Sequence, residues 1–342
     1  MTLRIGLAVQ PYGPEVVELV RQAERLGVDS VWVPEFWAGD AFTPLAHLAA
    51  HTSTIKLGSG IAQLGARTPA MLAMTAQSVH LLSGGRCILG IGASGPQVME
   101  GWHGVAFDRP VRRTRETIEI VRAITAGERL EHHGETYTLP RPGGEGRAIR
   151  SMLPPTHLPI YVASLGPANL RLTGELADGW IGNSFLPETA DVFLDPIRQG
   201  AEAAGRTLAD VDLTVAVGLE LTDDVEAAGR RHAEGYAFTF GAMGSATTNF
   251  YNEAFARQGF GDDVREVQRL WLAGDRDAAR AAVPTAIGLG TNLVGTDDIV
   301  RDRLRLYRDA GITTLRVGLT STGLDHQLAD LDHLLGLVRD VD

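Results

Sequence analysis

Cys87–Gln97, CILGIGASGPQ, carries glycines at 90, 92 and 95 in the spacing G-x-G-x-x-G, within and after a short apolar run. In the dinucleotide fingerprint that spacing gives a tight turn and seats a pyrophosphate on the amino end of a helix. The surroundings do not fit. Pro96 stands where the helix should already be running, and the next helical period begins only near Arg109, past the loop Gly101-Trp102-His103-Gly104. The run is also the fourth strand of the chain, whereas a dinucleotide domain opens on its fingerprint. Asp108 stands near the distance at which an acid would meet a ribose, but 42 Asp and Glu make such coincidences common. A hydrolase nucleophile elbow, G-x-S-x-G, is one residue off, because Pro96 occupies its last glycine position. What remains is the carboxyl end of a strand, where small residues Ala93, Ser94 and Gly95 let main-chain N–H groups approach an anion.

Working outward, short β-branched runs alternate with helical periods. Leu3–Val9 precedes Glu15–Gly27, Ser30–Pro34 precedes a helix from Thr43, Ile55–Ile61 a helix from Thr68, and Cys87–Gly92 the helix Arg109–Ala126. Proline near a helix start and glycine past its end punctuate several of these. A polar excursion at 131–139 (EHHGETYTL) and a Gly/Pro/Arg-rich loop at 141–155 follow. The alternation resumes with Pro159–Ser164, Trp180–Asn183, Leu213–Leu221 and Thr313–Leu319, before a final helix from about Asp325. Roughly 223–310 reads as an oversized helical section. Eight strands at this spacing predict an α/β class (β/α)8 TIM barrel, a single domain over 1–342, with insertions after strand 4 and between strands 7 and 8. A doubly wound open sheet is the weaker alternative.

In such a barrel every functional loop lies at the carboxyl ends of the strands. Three further segments occupy that position. Ala163-Ser164-Leu165-Gly166-Pro167 joins the fifth strand to a helix, and its exposed N–H groups together with the helix dipole suit an anion. In Ile55–Ile61, Gly58 and Gly60 interrupt a strand, the mark of a bulge or of a ligand touching backbone. Glu35, with Phe36, Trp37 and Asp40 beside it, ends the second strand and suits a flat ligand, although pairing with Arg67 is its bland alternative. Lys56 is the only lysine, which excludes a P-loop, and it lies at the wrong end of its strand for Schiff-base chemistry. His47 and His51 share a helix that should lie outside the barrel, without the glutamate of a zincin, so no metal site is expected. His132 and His133 are expected to decorate an exposed hairpin.

Composition narrows the function classes. A net charge of -11 with no basic stripe argues against nucleic acid. No apolar run approaches the roughly 20 residues of a membrane span, and no leader is evident. The single cysteine, Cys87, sits in an apolar strand, as expected of a cytoplasmic protein.

Taken together, SVWVPEFWAGDAFTPLAHLAAHTSTIKLGSGI, ARTPAMLAMTAQSV, LSGGRCILGIGASGPQVMEGWHGVAFDRPVRRTRE and ASLGPANLRLTGELADGW resemble the luciferase-like flavin and deazaflavin oxidoreductases. The later GAMGSATTNFYNEAFARQGFGDDVREVQRLW resembles an insertion of the branch that uses coenzyme F420. The resemblance implies a cofactor ring at the barrel mouth, coenzyme F420 or alternatively FMN, over a non-prolyl cis peptide at Gly60–Ile61. It implies that Ser94 and Gly95, with Gly166 and Pro167, hold the phosphate, and that Ala93, Ala163, Ser164 and Leu165 line the cofactor. Glu35 matches the acidic position near the ring, and Glu35, Asp40 or water would supply protons. Several relatives carry Asp-His where this chain has Glu35-Phe36, so that histidine is missing. The implied reaction is hydride transfer between deazaflavin C5 and a small organic substrate. The alternative is an FMN-dependent monooxygenase fed reduced flavin by a partner reductase. The substrate pocket would be built from Gln10, Trp37, Gln63, Phe185 and the insertion around Met243–Phe250. A homodimer is the family's habit.

Overall fold

The computed structural model describes residues 2–243 and 249–341. Among them, eight parallel strands follow one another around a closed barrel: β1 (Arg4–Ala8), β2 (Ser30–Val33), β3 (Lys56–Ser59), β4 (Cys87–Gly92), β5 (Ile160–Ala163), β6 (Gly179–Gly182), β7 (Asp212–Leu221) and β8 (Thr314–Leu319). β8 pairs with β1, Arg4 opposite Thr314, which closes the ring. The open-sheet alternative is thereby removed.

Strand period sorts the side chains into two layers. Val31, Val33, Leu57, Leu89, Ile91, Val162, Val215, Val217, Leu315 and Val317 face outward into the large core shared with the helices. Trp32, Ile88, Tyr161 and Ile181 face inward and fill the barrel. Trp32 requires space on the next strand: a Cβ on Gly58 would come within 2.3 Å of its ring. Helix starts follow the sequence signals, with Thr68 accepting a hydrogen bond from the Met71 N–H at 3.2 Å ahead of Pro69. No helix among the described residues is long and apolar enough to cross a membrane.

Two stretches differ from expectation. Pro96 does not merely end a turn: it is the first residue of a short helix, Pro96–Met99, ahead of the helix Pro110–Thr125. The section after β7 is not wholly helical, because Leu293–Gly295 forms a strand parallel to the upper end of β7, Leu219 opposite Leu293. Its helices enclose a small core of their own, including Phe240, Phe255, Val267 and Ile287, joined to the barrel side through Leu186. In the first insertion, His133 is exposed, but His132 is half-buried with its Nε2 3.5 Å from Glu116. Glu116 in turn accepts hydrogen bonds from the N–H groups of Glu135, Thr136 and Tyr137, tying the hairpin to the helix.

The step that shapes the mouth lies between β3 and β4. Gly58 pairs with Ile88, yet the next pairing is Ala62 with Ile91, so β3 spends one residue more than β4 over the same rise. This is a bulge, and the bulged residues lack ladder partners. The Ser59 hydroxyl replaces them: it donates to the Gly90 carbonyl at 2.8 Å and accepts from the Gly90 N–H at 2.9 Å. Gly90 must be glycine, since a Cβ there would lie 1.9 Å from the Ser59 carbonyl oxygen. The Gly60–Ile61 peptide inside the bulge is cis. Ser59→Ala orphans both buried groups of Gly90 and is expected to cost about 1–3 kcal/mol of stability. A lowered denaturant midpoint checks this; an unchanged midpoint would show that the bulge is held by other means.

Candidate active site

At the carboxyl ends of β3, β4 and β5 the backbone builds a floor. Ile61 and Ala163 pack on the barrel's inner cluster. A Cβ on Gly92 would lie 3.0 Å from the Ile61 side chain and 3.3 Å from Ala163. Ile61, Gly92 and Ala163 are therefore contiguous, an apolar surface suited to one face of a flat ring.

Two strand–helix junctions flank this floor. Ser94 adopts a left-handed conformation, φ 61°, and Gly95 caps Pro96–Met99. Gly166 caps the helix Pro167–Leu176, and open space surrounds the position its Cβ would take. Ala93, Ser94, Gly95, Leu165 and Gly166 are half-buried. Ser164 is different. Its hydroxyl lies 2.9 Å from Thr173 Oγ1 and its carbonyl accepts from Trp180 Nε1 at 3.0 Å, so it braces the loop from behind.

Glu35 lies beside the floor with its side chain only 7% exposed. It accepts from the Ala41 N–H at 3.2 Å, the Gln63 N–H at 3.1 Å and Arg67 Nη1 at 2.7 Å. Gln63 Nε2 donates to the Glu35 carbonyl at 3.0 Å, which turns Gln63 Oε1 toward His103 Nε2 at 2.8 Å. That oxygen can only accept, so the His103 proton lies on Nε2. Asp40 accepts from the N–H groups of Phe42 and Thr43 at 2.9 and 2.8 Å and so opens the helix Phe42–Ala49. Both carboxylates expected to supply protons are thus held as acceptors by backbone or arginine donors. They shape the mouth, and the pairing with Arg67 weighed from the sequence is present together with the placement at the site.

Of the expected pocket residues, Gln10 and Trp37 are exposed at the rim, where Phe36 meets Trp37 edge-on at 5.9 Å. Gln63 is buried in the network just described. Phe185 does not reach the mouth. The chain turns at Ser184, φ 58°, and Phe185 packs into the outer core against Trp180, Phe193 and Tyr307, leaving 1% exposed. The expected contribution of Met243–Phe250 falls largely on residues 244–248, outside the described residues.

Three cationic or titratable groups escaped the sequence reading. His103 lies in the loop Gly101-Trp102-His103-Gly104, where nothing in the sequence sets it apart. Arg257, from the turn Ala256–Phe260 of the second insertion, donates through Nη2 to the Leu165 carbonyl at 2.5 Å, and burial pushes its pKa below the usual arginine value. Its Nε is sealed from solvent without a partner. Arg316 points into the barrel from β8, and a lone arginine in the apolar alternation TLRVGL was a legible signal.

Residues 4–314 match the family model described as luciferase-like monooxygenase. The chain belongs to that family. Among its luciferase-like relatives is a Mycobacterium tuberculosis protein provisionally named coenzyme F420-dependent oxidoreductase, 35% identical over 97% of this chain and 99% of the relative. The 5,10-methylenetetrahydromethanopterin reductase of Archaeoglobus fulgidus is 29% identical over 89% of each chain. The solved coenzyme F420 dependent tetrahydromethanopterin reductase from Methanopyrus kandleri shares the fold, with a TM-score of 0.77 at 22% identity over 97% of this chain and 98% of that one.

Glu35 in this luciferase-like mouth positions Arg67 and Gln63. Glu35→Ala removes the closer of Arg67's two carboxylate partners, leaving Asp40 at 3.9 Å, and orphans two N–H groups, and is expected to lose about 2–4 kcal/mol of stability. Glu35→Gln keeps an acceptor and should retain the pH–rate profile of the wild type. Loss of one limb of that profile at unchanged stability would make Glu35 a proton-transfer group instead.

Proposed function

We propose that this chain is a coenzyme F420-dependent oxidoreductase that moves a hydride between the deazaflavin and a small organic substrate. The observation that carries the reading is the apolar floor of Ile61, Gly92 and Ala163 lying between two anion-suited junctions, one of them backed by Arg257. The names of the relatives support the choice of deazaflavin. The residues present fit such a group: open space at Gly166 leaves room for a phosphate beside the helix amino end, and the unpartnered Arg257 Nε offers a buried donor near it.

When bound, the deazaflavin supplies a ring carbon that gives or takes a hydride. The chain's own residues do the rest. Ser94, Gly95, Gly166 and Pro167 with Arg257 would grip the phosphate, and Ile61 and Ala163 would support the ring. Glu35 fixes Gln63, Gln63 fixes His103, and the His103 Nε2 proton is the one this network holds near the floor. Phe36 and Trp37, exposed at the rim, would cover part of the substrate and limit water.

Titration of the apoprotein with coenzyme F420, with FMN and with the dephosphorylated deazaflavin riboside tests the reading. Micromolar binding of coenzyme F420 is expected, weakened about tenfold in Arg257→Ala through loss of a charge-assisted contact. The riboside should bind both proteins alike. Binding of FMN with none of coenzyme F420 would replace this function with a flavin monooxygenase, and equal loss of riboside binding would remove Arg257 from the phosphate.

A further inference from the structure

Arg316 is the least explained charge in the barrel. On β8, Leu315 and Val317 belong to the outer core, so Arg316 between them faces inward. It is level with Gly6 on β1 and Ala216 on β7, small residues that leave room for a long side chain. Its guanidinium carbon lies 5.5 Å from the centre of the Trp32 ring. A Cβ on Gly60 would come within 2.9 Å of its Nη1. The cation therefore fills the gap between the tryptophan that plugs the barrel and the Gly60–Ile61 peptide that leads into the floor of the mouth.

No counter-charge accompanies it. Arg316 is 6% exposed, its Nε is sealed without a partner, and no ion pair with it forms among the described residues. The acids of the surrounding strands are engaged elsewhere: Asp212 by Arg4 and Tyr161 at the far end of the barrel, Glu220 by Arg231 and His232, Glu35 by Arg67. Burial lowers its pKa to about 10, so it remains protonated at neutral pH. Burying a charge without a partner is unfavourable, and an apolar residue of similar volume would fit the same space at less cost. The face of Trp32 offsets only part of that cost.

We infer that Arg316 is the counter-cation of the cofactor ring, favouring its reduced form over its oxidised form. This rests on the deazaflavin reading above. A ring that takes up a hydride becomes one unit more negative than its oxidised form, until a proton follows. A fixed cation behind the floor therefore stabilises the reduced form more than the oxidised one.

The affinities of oxidised and reduced coenzyme F420 for the wild type, Arg316→Met, Arg316→Gln and Arg316→Lys test this without any turnover. The wild type is expected to prefer the reduced form by at least about tenfold more than the Met and Gln variants do, equivalent to about 30 mV in the two-electron potential of the bound couple. Arg316→Lys should keep most of the preference. Denaturation of the ligand-free proteins should find Arg316→Met no less stable than the wild type. An unchanged ratio of affinities in Met and Gln would overturn the inference, as would equal loss of both affinities together with apoprotein stability, which would make Arg316 a packing residue. If the wild type binds neither oxidation state, the deazaflavin reading falls first and the inference with it.

Discussion

The mouth depends on one hydroxyl. Between β3 and β4 a single extra residue breaks the ladder, and Ser59 Oγ closes the break by bonding both the N–H and the carbonyl of Gly90. With the bulge pinned, Gly60 and Ile61 leave the sheet at a defined point and Ile61 comes to rest beside Gly92 and Ala163. Gly90 is part of the same constraint, because any side chain there would strike the Ser59 carbonyl. The glycines of GIGASG thus serve two separate ends. Gly90 and Gly92 permit close packing under the floor, whereas Gly95 caps a helix at its edge. Their resemblance to a dinucleotide fingerprint is a coincidence of spacing.

From this floor the remaining features fall into a single arrangement. The two strand–helix junctions, at Gly95 and Gly166, flank the floor on one side. The Glu35–Gln63–His103 chain borders the other, and Arg316 lies behind. Polar groups are few, and most are fixed by a neighbour. On the proposed function such a site would work by orientation and fixed charge. The carboxylates that look like acids in the sequence hold the loops that carry the surroundings.

The barrel itself was legible. Each of the eight strands announced itself by a short run, mostly apolar and in several cases β-branched, and Thr68-Pro69 and Gly166-Pro167 marked helix starts with the residues that physically begin them. Leu293–Gly295 was not, because three residues carry too little period to stand out from a helical section, and only pairing with β7 makes them a strand. Phe185 was misplaced because a left-handed residue at 184 breaks the alternation on which inward and outward assignments rest. Ser164 looked like a ligand contact from its position, but its orientation depends on Thr173, nine residues on. Arg257 could not be read at all. It meets Leu165 across 92 residues of sequence, from an insertion whose packing is set by its own small core.

The most direct test of the account is a crystal structure of the protein with coenzyme F420 bound. The ring should lie on Ile61 and Ala163, with its phosphate between Ser94 and Gly166 and within reach of Arg257. A ligand seated away from this floor, or one whose phosphate contacts neither junction, would contradict the account at its centre.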